Sequence, residues 1–357
     1  MSRDRASGWT SHPVRVECLG LARWIALVLV LATSNTSAQD LKYGAPIPAA
    51  HRTMYDRGCD YLVAQQRPEG SWTSNTGVTG ICVMALLASG EDPNFGKYAD
   101  AVRGGVRSII RHQNTTTGFI RSGMYEHGFA MLALADCYGA IDERLLWQGQ
   151  DSPGHSIGKA LELAVKCAVT SQENNPYKAW QYSPDGTTAD TSAAGAVMMG
   201  LLGARNAGIP VPDESIDGVV EYYVGMTIEN GMVNYTGIGG LGESHARSAI
   251  CALVLSIAKR RELDAFKATQ EYVTRTWDLP GRMHPAYLLY YRSQALFQVN
   301  YPLWRRWTVE NTAFLAEIQE EDGRIVIPGA SHGPVYSTGM CLLSAGLNYC
   351  FLPIYER

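Results

Sequence analysis

Residues 66–90 read QRPEGSWTSNTGVTGICVMALLASG. An amphipathic segment ends at Gln66, a Pro68-Glu69-Gly70 turn reverses the chain, Trp72 places a large apolar ring at the corner, and a segment without charge begins near Gly77. The same plan recurs downstream. Tyr98–Gln113 puts Val102, Val106, Ile109 and Ile110 on one face at helical spacing, turns at Gly118-Phe119, and continues as MYEHGFAMLALADCYG. A third unit runs from His155 to Gln172 and Trp180, then through the Ala/Gly/Met-rich run after Asp190. A fourth joins SIDGVVEYYVGMTIENG to ESHARSAICALVLSIAKR, a fifth joins Glu262–Trp277 to His284–Gln298, and a sixth joins Pro302–Gln319 to Val335–Cys350.

The corners, at Gly70, Gly118, Ala179, Gly231, Gly281 and Gly323, lie roughly 40 to 60 residues apart, a period typical of solenoids and closed arrays. First members of each pair carry charge on one side and an apolar stripe on the other, as in Leu263, Phe266, Val273 and Trp277. That is the pattern of a helix with one face in water. Second members are small or apolar all round and must be buried on most sides. An inner ring of six helices inside an outer ring of six satisfies both patterns, so the expected fold is all-α: an α/α toroid (α6/α6 barrel) of six helical hairpins and twelve helices. No β pattern competes, apart from Arg324–Ile327 beside the last turn.

At 357 residues, with 46% hydrophobic and 18% charged residues and a net charge of −4, the chain can bury a large core and lacks the basic stripe of a nucleic-acid binder. The first residues combine several Arg, the apolar run Trp24–Ala32 and Thr36-Ser37-Ala38. They read as a signal peptide over 1–38, followed by a linker over 39–51 and a single domain over 52–357. Export to the periplasm or the exterior is the expectation, with an uncleaved anchor as the alternative. Of eight cysteines, Cys18 leaves with the leader. The remaining seven sit mostly in apolar helical runs and show no CxxC spacing, so they read as buried thiols, although one pair involving Cys341 or Cys350 stays open.

Gln66–Trp72 fits the Q-x-x-x-G-x-W repeat of squalene and oxidosqualene cyclases. Gln319–Gly323 keeps the Gln and Gly, with Ile325 in place of Trp. The chain resembles the prenyltransferase and squalene-cyclase repeat group over about residues 52–350, which implies a toroid around a central apolar cavity. In class II cyclases an Asp-x-Asp-Asp-Thr-Ala motif carries the proton donor. The matching stretch here is Thr187-Thr188-Ala189-Asp190-Thr191-Ser192, with Ala189 at the donor position, so cyclase chemistry lacks its acid. The zinc set of protein prenyltransferases is also missing: Ser337 stands at the His position and no Asp-x-Cys opens an inner helix. Neither a metal nor another cofactor is expected.

If the inner-helix N-termini gather at one end, they bring together candidate catalytic residues Glu126, His127, Asp190, Glu243 and His245. Candidate ligand-binding residues Thr79, Arg247, His284, Tyr287, Tyr291 and Tyr336 join them. Such an end also favours anions. Asp190, followed by Thr-Ser, reads equally as a helix N-cap, and His332 as a turn residue. The leading expectation is an exported toroid that binds an apolar, isoprenoid-like small molecule or a partner in its central cavity, with peripheral membrane contact as a further option. Two alternatives stand beside it: a hydrolase or lyase using the carboxylates and histidines, and a non-catalytic module whose barrel is filled by side chains.

Overall fold

The computed structural model describes residues 47–236, 244–278, 284–329 and 332–347. The expected leader, most of the linker, Glu243, Gly281 and Cys350 lie outside the described residues. Among the described residues there are thirteen helices and no strand. Six are outer helices: α1 (Ala49–Gln65), α3 (Ala99–Arg111), α6 (Ile157–Glu173), α8 (Asp213–Met226), α10 (Asp264–Arg275) and α12 (Tyr301–Ile318). Six are inner: α2 (Thr76–Leu87), α4 (Met124–Cys137), α7 (Thr191–Asn206), α9 (His245–Ile257), α11 (Pro285–Val299) and α13 (Gly333–Gly346). The single-turn α5 (Glu143–Leu146) joins α4 to α6.

The inner helices pack in the order α2, α4, α7, α9, α11, α13, and α13 returns to α2, so the ring is closed. The protein is therefore an α/α toroid, as the alternation of helix types implied. Small residues let the inner helices approach closely: a Cβ on Gly128 would strike the backbone of Ala196 where α4 crosses α7. Each outer helix leans chiefly on the inner helix before it rather than on its own hairpin partner, and α1 leans on α13. The corner explains this offset. Trp72 donates from Nε1 to the Leu62 carbonyl at 2.6 Å, and its ring lies against α3 at Gly105, wedged between elements that would otherwise meet.

Four corners share one glutamine device. Gln66 Nε2 donates to Gly70 O (2.9 Å) and to Ala101 O of the next outer helix (2.8 Å). Gln113 does the same with Gly118 O and Ala160 O, and Gln172 with Lys178 O and Ser215 O. The side-chain amide closes its own turn and staples that turn to the neighbouring unit. Gly70 (φ +89°) sits so close to α3 that a Cβ there would strike the carbonyl of Gly104. In the third unit the corner position is Lys178 (φ +52°), not Ala179, and the open surface of Gly218 opposite makes room for its side chain. Six cysteines (Cys59, Cys82, Cys137, Cys167, Cys251 and Cys341) are free and buried, as small apolar residues of the core.

Candidate functional site

Opposite inner helices meet across the barrel axis through aromatic rings. Tyr125 on α4 lies 6.0 Å from Tyr287 on α11, and Phe129 lies 5.9 Å from Tyr290. Tyr291 packs edge-on against both Tyr287 and Tyr290, at 4.7 Å each. The resemblance to cyclases implied an apolar cavity along this axis. Instead, aromatic pairs bridge the axis at this level, and a cavity of about 440 Å³ opens above them at the inner-helix N-termini. Tyr125 and Tyr287 form part of its lining. Burial raises the pKa values of Tyr125, Tyr287 and Tyr291 well above the usual phenol range, so these groups stay protonated.

Glu126 stands in the first turn of α4 and lines the cavity. Asn75, the N-cap of α2, holds it through an Nδ2–Oε1 hydrogen bond of 3.1 Å. Gly123 stands beside it, where a Cβ would meet Glu126 Oε2 and shift the carboxylate. A carboxylate at a helix N-terminus is electrostatically favourable in itself, and here it is also aimed at open space.

Across the cavity, Arg247 of α9 is only 5% exposed, yet it contributes to the lining. Its Nε donates to the Val233 carbonyl at 2.9 Å and its guanidinium lies 5.7 Å from the centre of the Tyr235 ring. Burial lowers its pKa, with nearby Asp190 opposing that shift, and a guanidinium keeps its charge throughout.

Asp190 does not line the cavity. Its Oδ1 accepts from Ser192 N (2.7 Å) and Ala193 N (2.8 Å), which makes it the N-cap of α7. Its Oδ2 accepts from Tyr182 at 3.0 Å, and the Tyr182 and Tyr235 hydroxyls are 2.6 Å apart. Both tyrosines lie on corner loops pinned to inner helices: Met124 N donates to Tyr182 O, and Thr191 N to Tyr235 O. The cap thus ends a hydrogen-bonded chain that begins at the cavity lip.

His284 and His332 complete the lip. His284 caps α11 in the left-handed region (φ +51°), and its ring stacks on His332 with centroids 5.9 Å apart. His332 in turn packs edge-on against Tyr336 at 4.9 Å. His332 is therefore more than a turn residue.

Five of the expected residues converge on the cavity: Glu126, Arg247, His284, Tyr287 and Tyr336. The others are placed elsewhere. His127 is fully buried behind α4. It accepts from Ile120 N at Nδ1 (3.1 Å), and its Nε2 faces the Ala164 carbonyl at 3.1 Å, so it is a neutral structural bridge whose pKa burial lowers to about 4. His245 turns outward to the Tyr272 hydroxyl at 3.1 Å. Thr79 is buried within α2 and Tyr291 lies beneath the floor. Among the described residues no group of three His, Cys, Asp or Glu side chains could hold a metal ion. Tyr125, Tyr182, Ser192, Tyr235, Ser244 and His332 line the cavity without having been singled out as site residues.

No protein-family model matches the sequence, and no curated protein does either. Solved structures do share the fold. The GH76A α-1,6-mannanase from Salegentibacter sp. HEL1_6 aligns with a TM-score of 0.62 at 8% identity, over 84% of this chain and 99% of that one. A family 76 glycoside hydrolase from a bovine Bacteroides thetaiotaomicron strain gives 0.60 at 10% identity, over 84% and 78%. A glycosyl hydrolase of family 88 from Bacteroides vulgatus gives 0.55 at 12%, over 85% and 99%. At these identities the likeness establishes the α/α toroid and nothing finer.

Proposed function

We propose that this protein binds a saccharide in the cavity at the inner-helix N-termini and cleaves its glycosidic linkage, with Glu126 as the proton-transfer carboxylate. The observation that carries this reading is the placement of Glu126: anchored through one oxygen, given room by Gly123, and facing a cavity walled by tyrosines, an arginine and two histidines. Aromatic faces with polar tips suit sugar rings, which present C–H faces and a rim of hydroxyls. Toroids of the same architecture carry the names mannanase and glycoside hydrolase, which supports this reading by analogy of fold. An exported glycan-cleaving enzyme also accords with the leader read at the N-terminus.

An isoprenoid-like ligand fits less well, because aromatic pairs bridge the axis where such a chain would lie and the open space has a polar lip. Hydrolysis ordinarily employs two carboxylates, and Glu126 is the single carboxylate among the described lining residues. That favours elimination as the second reading, since a lyase needs one base and one acid rather than a carboxylate pair. The purified protein should release new chain ends from at least one member of a polysaccharide panel, and Glu126→Gln should abolish the release. Full activity in Glu126→Gln would remove Glu126 from the chemistry, and uptake of polyprenyl lipid with no glycan cleaved would return the reading to an apolar ligand.

A further inference from the structure

Glu126 is the single carboxylate among the described lining residues, yet a second proton-transfer group reaches the same cavity by another route. Asp190 is 1% exposed and does not line the cavity, but it needs only Oδ1 to cap α7. Its Oδ2 accepts from the Tyr182 hydroxyl at 3.0 Å. That bond uses the one proton Tyr182 carries, so in the 2.6 Å contact between the two phenols Tyr235 is the donor. Tyr235 also stands within hydrogen-bonding reach of Asp190 itself. On either path its O–H is directed at the buried carboxylate, and its oxygen keeps the capacity to accept from the cavity, which Tyr182 and Tyr235 both line.

Capping alone does not account for this arrangement. A buried carboxylate needs its second oxygen satisfied, and one phenol does that. The second phenol comes from a loop 53 residues away and extends the chain from a closed carboxylate to open space. Glu126 and Tyr182 meet at Gly123, where a Cβ would lie 2.5 Å from Glu126 Oε2 and 3.2 Å from the Tyr182 carbonyl. Around Asp190 also stand the phenols of Tyr222, Tyr223 and Tyr287 and the Arg247 guanidinium. Burial, and after it the hydrogen bonds to Tyr235 and Asp190, raise the pKa of Tyr182, so its phenol stays neutral. Burial and hydrogen bonding to Asp190 also raise that of Tyr235, while Tyr182 and Arg247 pull against the rise.

We infer that Tyr235 is the second catalytic residue of the cavity, and that Tyr182 and Asp190 are positioning residues behind it that take on the proton of an attacking water. This inference rests on the saccharide reading above and commits it to hydrolysis. The water oxygen bonds to the anomeric carbon as the bond from that carbon to the leaving oxygen breaks. Glu126, in its protonated form, gives its proton to the leaving oxygen. The proton of the water passes to Tyr235, that of Tyr235 to Tyr182, and that of Tyr182 to Asp190. Asp190 then returns one proton to solvent and Glu126 takes one up, which restores the starting state.

The test incubates the full chain with α-1,6-mannan, β-1,4-xylan and polygalacturonate and follows new reducing ends and, by ultraviolet absorbance, unsaturated ends. Tyr235→Phe, which keeps the ring, and Asp190→Asn, which keeps the cap, should each lower kcat about 100-fold or more. KM should stay within about twofold of the parent value, and the urea midpoints close to the parent midpoint. In mixtures of light and heavy water the parent rate should curve with deuterium content, because several protons move together. In both variants that dependence should become linear, a change that a merely structural Asp190 or Tyr235 would not produce. A kcat within about threefold of the parent in either variant, a loss confined to KM, or curvature that persists would overturn the inference and leave the saccharide reading standing. Unsaturated ends in the products would overturn it as well, in favour of elimination. If the parent cleaves none of the three glycans, the saccharide reading itself fails and the inference falls with it.

Discussion

Gln319 closes the ring on Met54, 265 residues earlier in the sequence: its Nε2 donates to the Met54 carbonyl at 3.0 Å and to Gly323 O at 2.9 Å. Arg57 reinforces the seam by donating to Glu320 O at 2.7 Å. The last corner therefore treats the first helix as its next outer helix, by the same device that Gln66, Gln113 and Gln172 use along the chain. Gly323 (φ +90°) comes so near Arg57 that a Cβ would strike the Arg57 carbonyl.

Gln319→Ala removes both hydrogen bonds at the seam and should destabilise the protein by about 1–3 kcal/mol, read as a lowered midpoint in urea. Gln113→Ala, at an equivalent corner inside the ring, should cost a similar amount. If Gln319→Ala leaves the midpoint unchanged, the glutamine staple does not hold the ring closed.

Asp190 separates a capping role from an acid role. Asp190→Asn keeps an oxygen for Ser192 N and Ala193 N and should stay within a few tenths of a kcal/mol of the parent protein, whereas Asp190→Ala should lose about 1–2 kcal/mol. Chemical denaturation of the two variants decides between them. Equal losses in both would mean that the charge facing Tyr182, rather than the cap, is what the fold requires.

The fold was legible because its signals are periodic. Gln-to-Gly corners and charge-free second helices repeat with the unit, and closure of six such units follows from the need to bury the inner faces. The site was legible only where it sits on the inner faces of those helices, as with Glu126, Arg247, Tyr287 and Tyr336. His127 and His245 lie in the same first turns, but a step of one residue swings a side chain about 100° around the axis. His127 thereby points between the rings and His245 to the outer Tyr272. Tyr182 and Tyr235 belong to loops without periodicity, and backbone pairing with helix N-termini brings them to the cavity, while His332 reaches it from the N-cap position of α13, which no local pattern announces.

Two kinds of buried group set opposite pH limits. His51 and His127 are each held at about 4 by burial, against 6.5 when unfolded. The unfolded chain therefore takes up protons first as pH falls, and each histidine removes up to about 1.4 kcal/mol per pH unit below 6.5, until the folded form also titrates near 4. Asp136 runs the other way. Burial raises its pKa to about 8, so its contribution is complete below the unfolded value of 3.8 and is lost as pH rises towards 8. Urea midpoints across this range should fall at both ends. Asp136→Asn should flatten the alkaline limb and His127→Gln should reduce the acid slope; an unaltered profile in both variants would contradict these assignments.

Two tyrosines at similar depth should respond in opposite directions to loss of the hydroxyl. Tyr223 donates to the Thr191 carbonyl at 2.6 Å, tying outer helix α8 to the start of α7. Tyr223→Phe leaves that carbonyl short of a partner and should cost about 1–2 kcal/mol. The Tyr291 hydroxyl is buried beneath the cavity floor beside the hydroxyl of Tyr287, without a hydrogen bond of good geometry, and with Tyr223, Tyr290 and Tyr336 nearby. Tyr291→Phe removes a poorly satisfied polar group while keeping the ring that packs on Tyr287 and Tyr290, so stability should hold or rise by up to about 1 kcal/mol. Thermal or urea unfolding of the two variants provides the comparison. A loss in Tyr291→Phe as large as that in Tyr223→Phe would show that the hydroxyl does have a partner beneath the floor, such as a buried water, and that the aromatic bridge across the axis is hydrated.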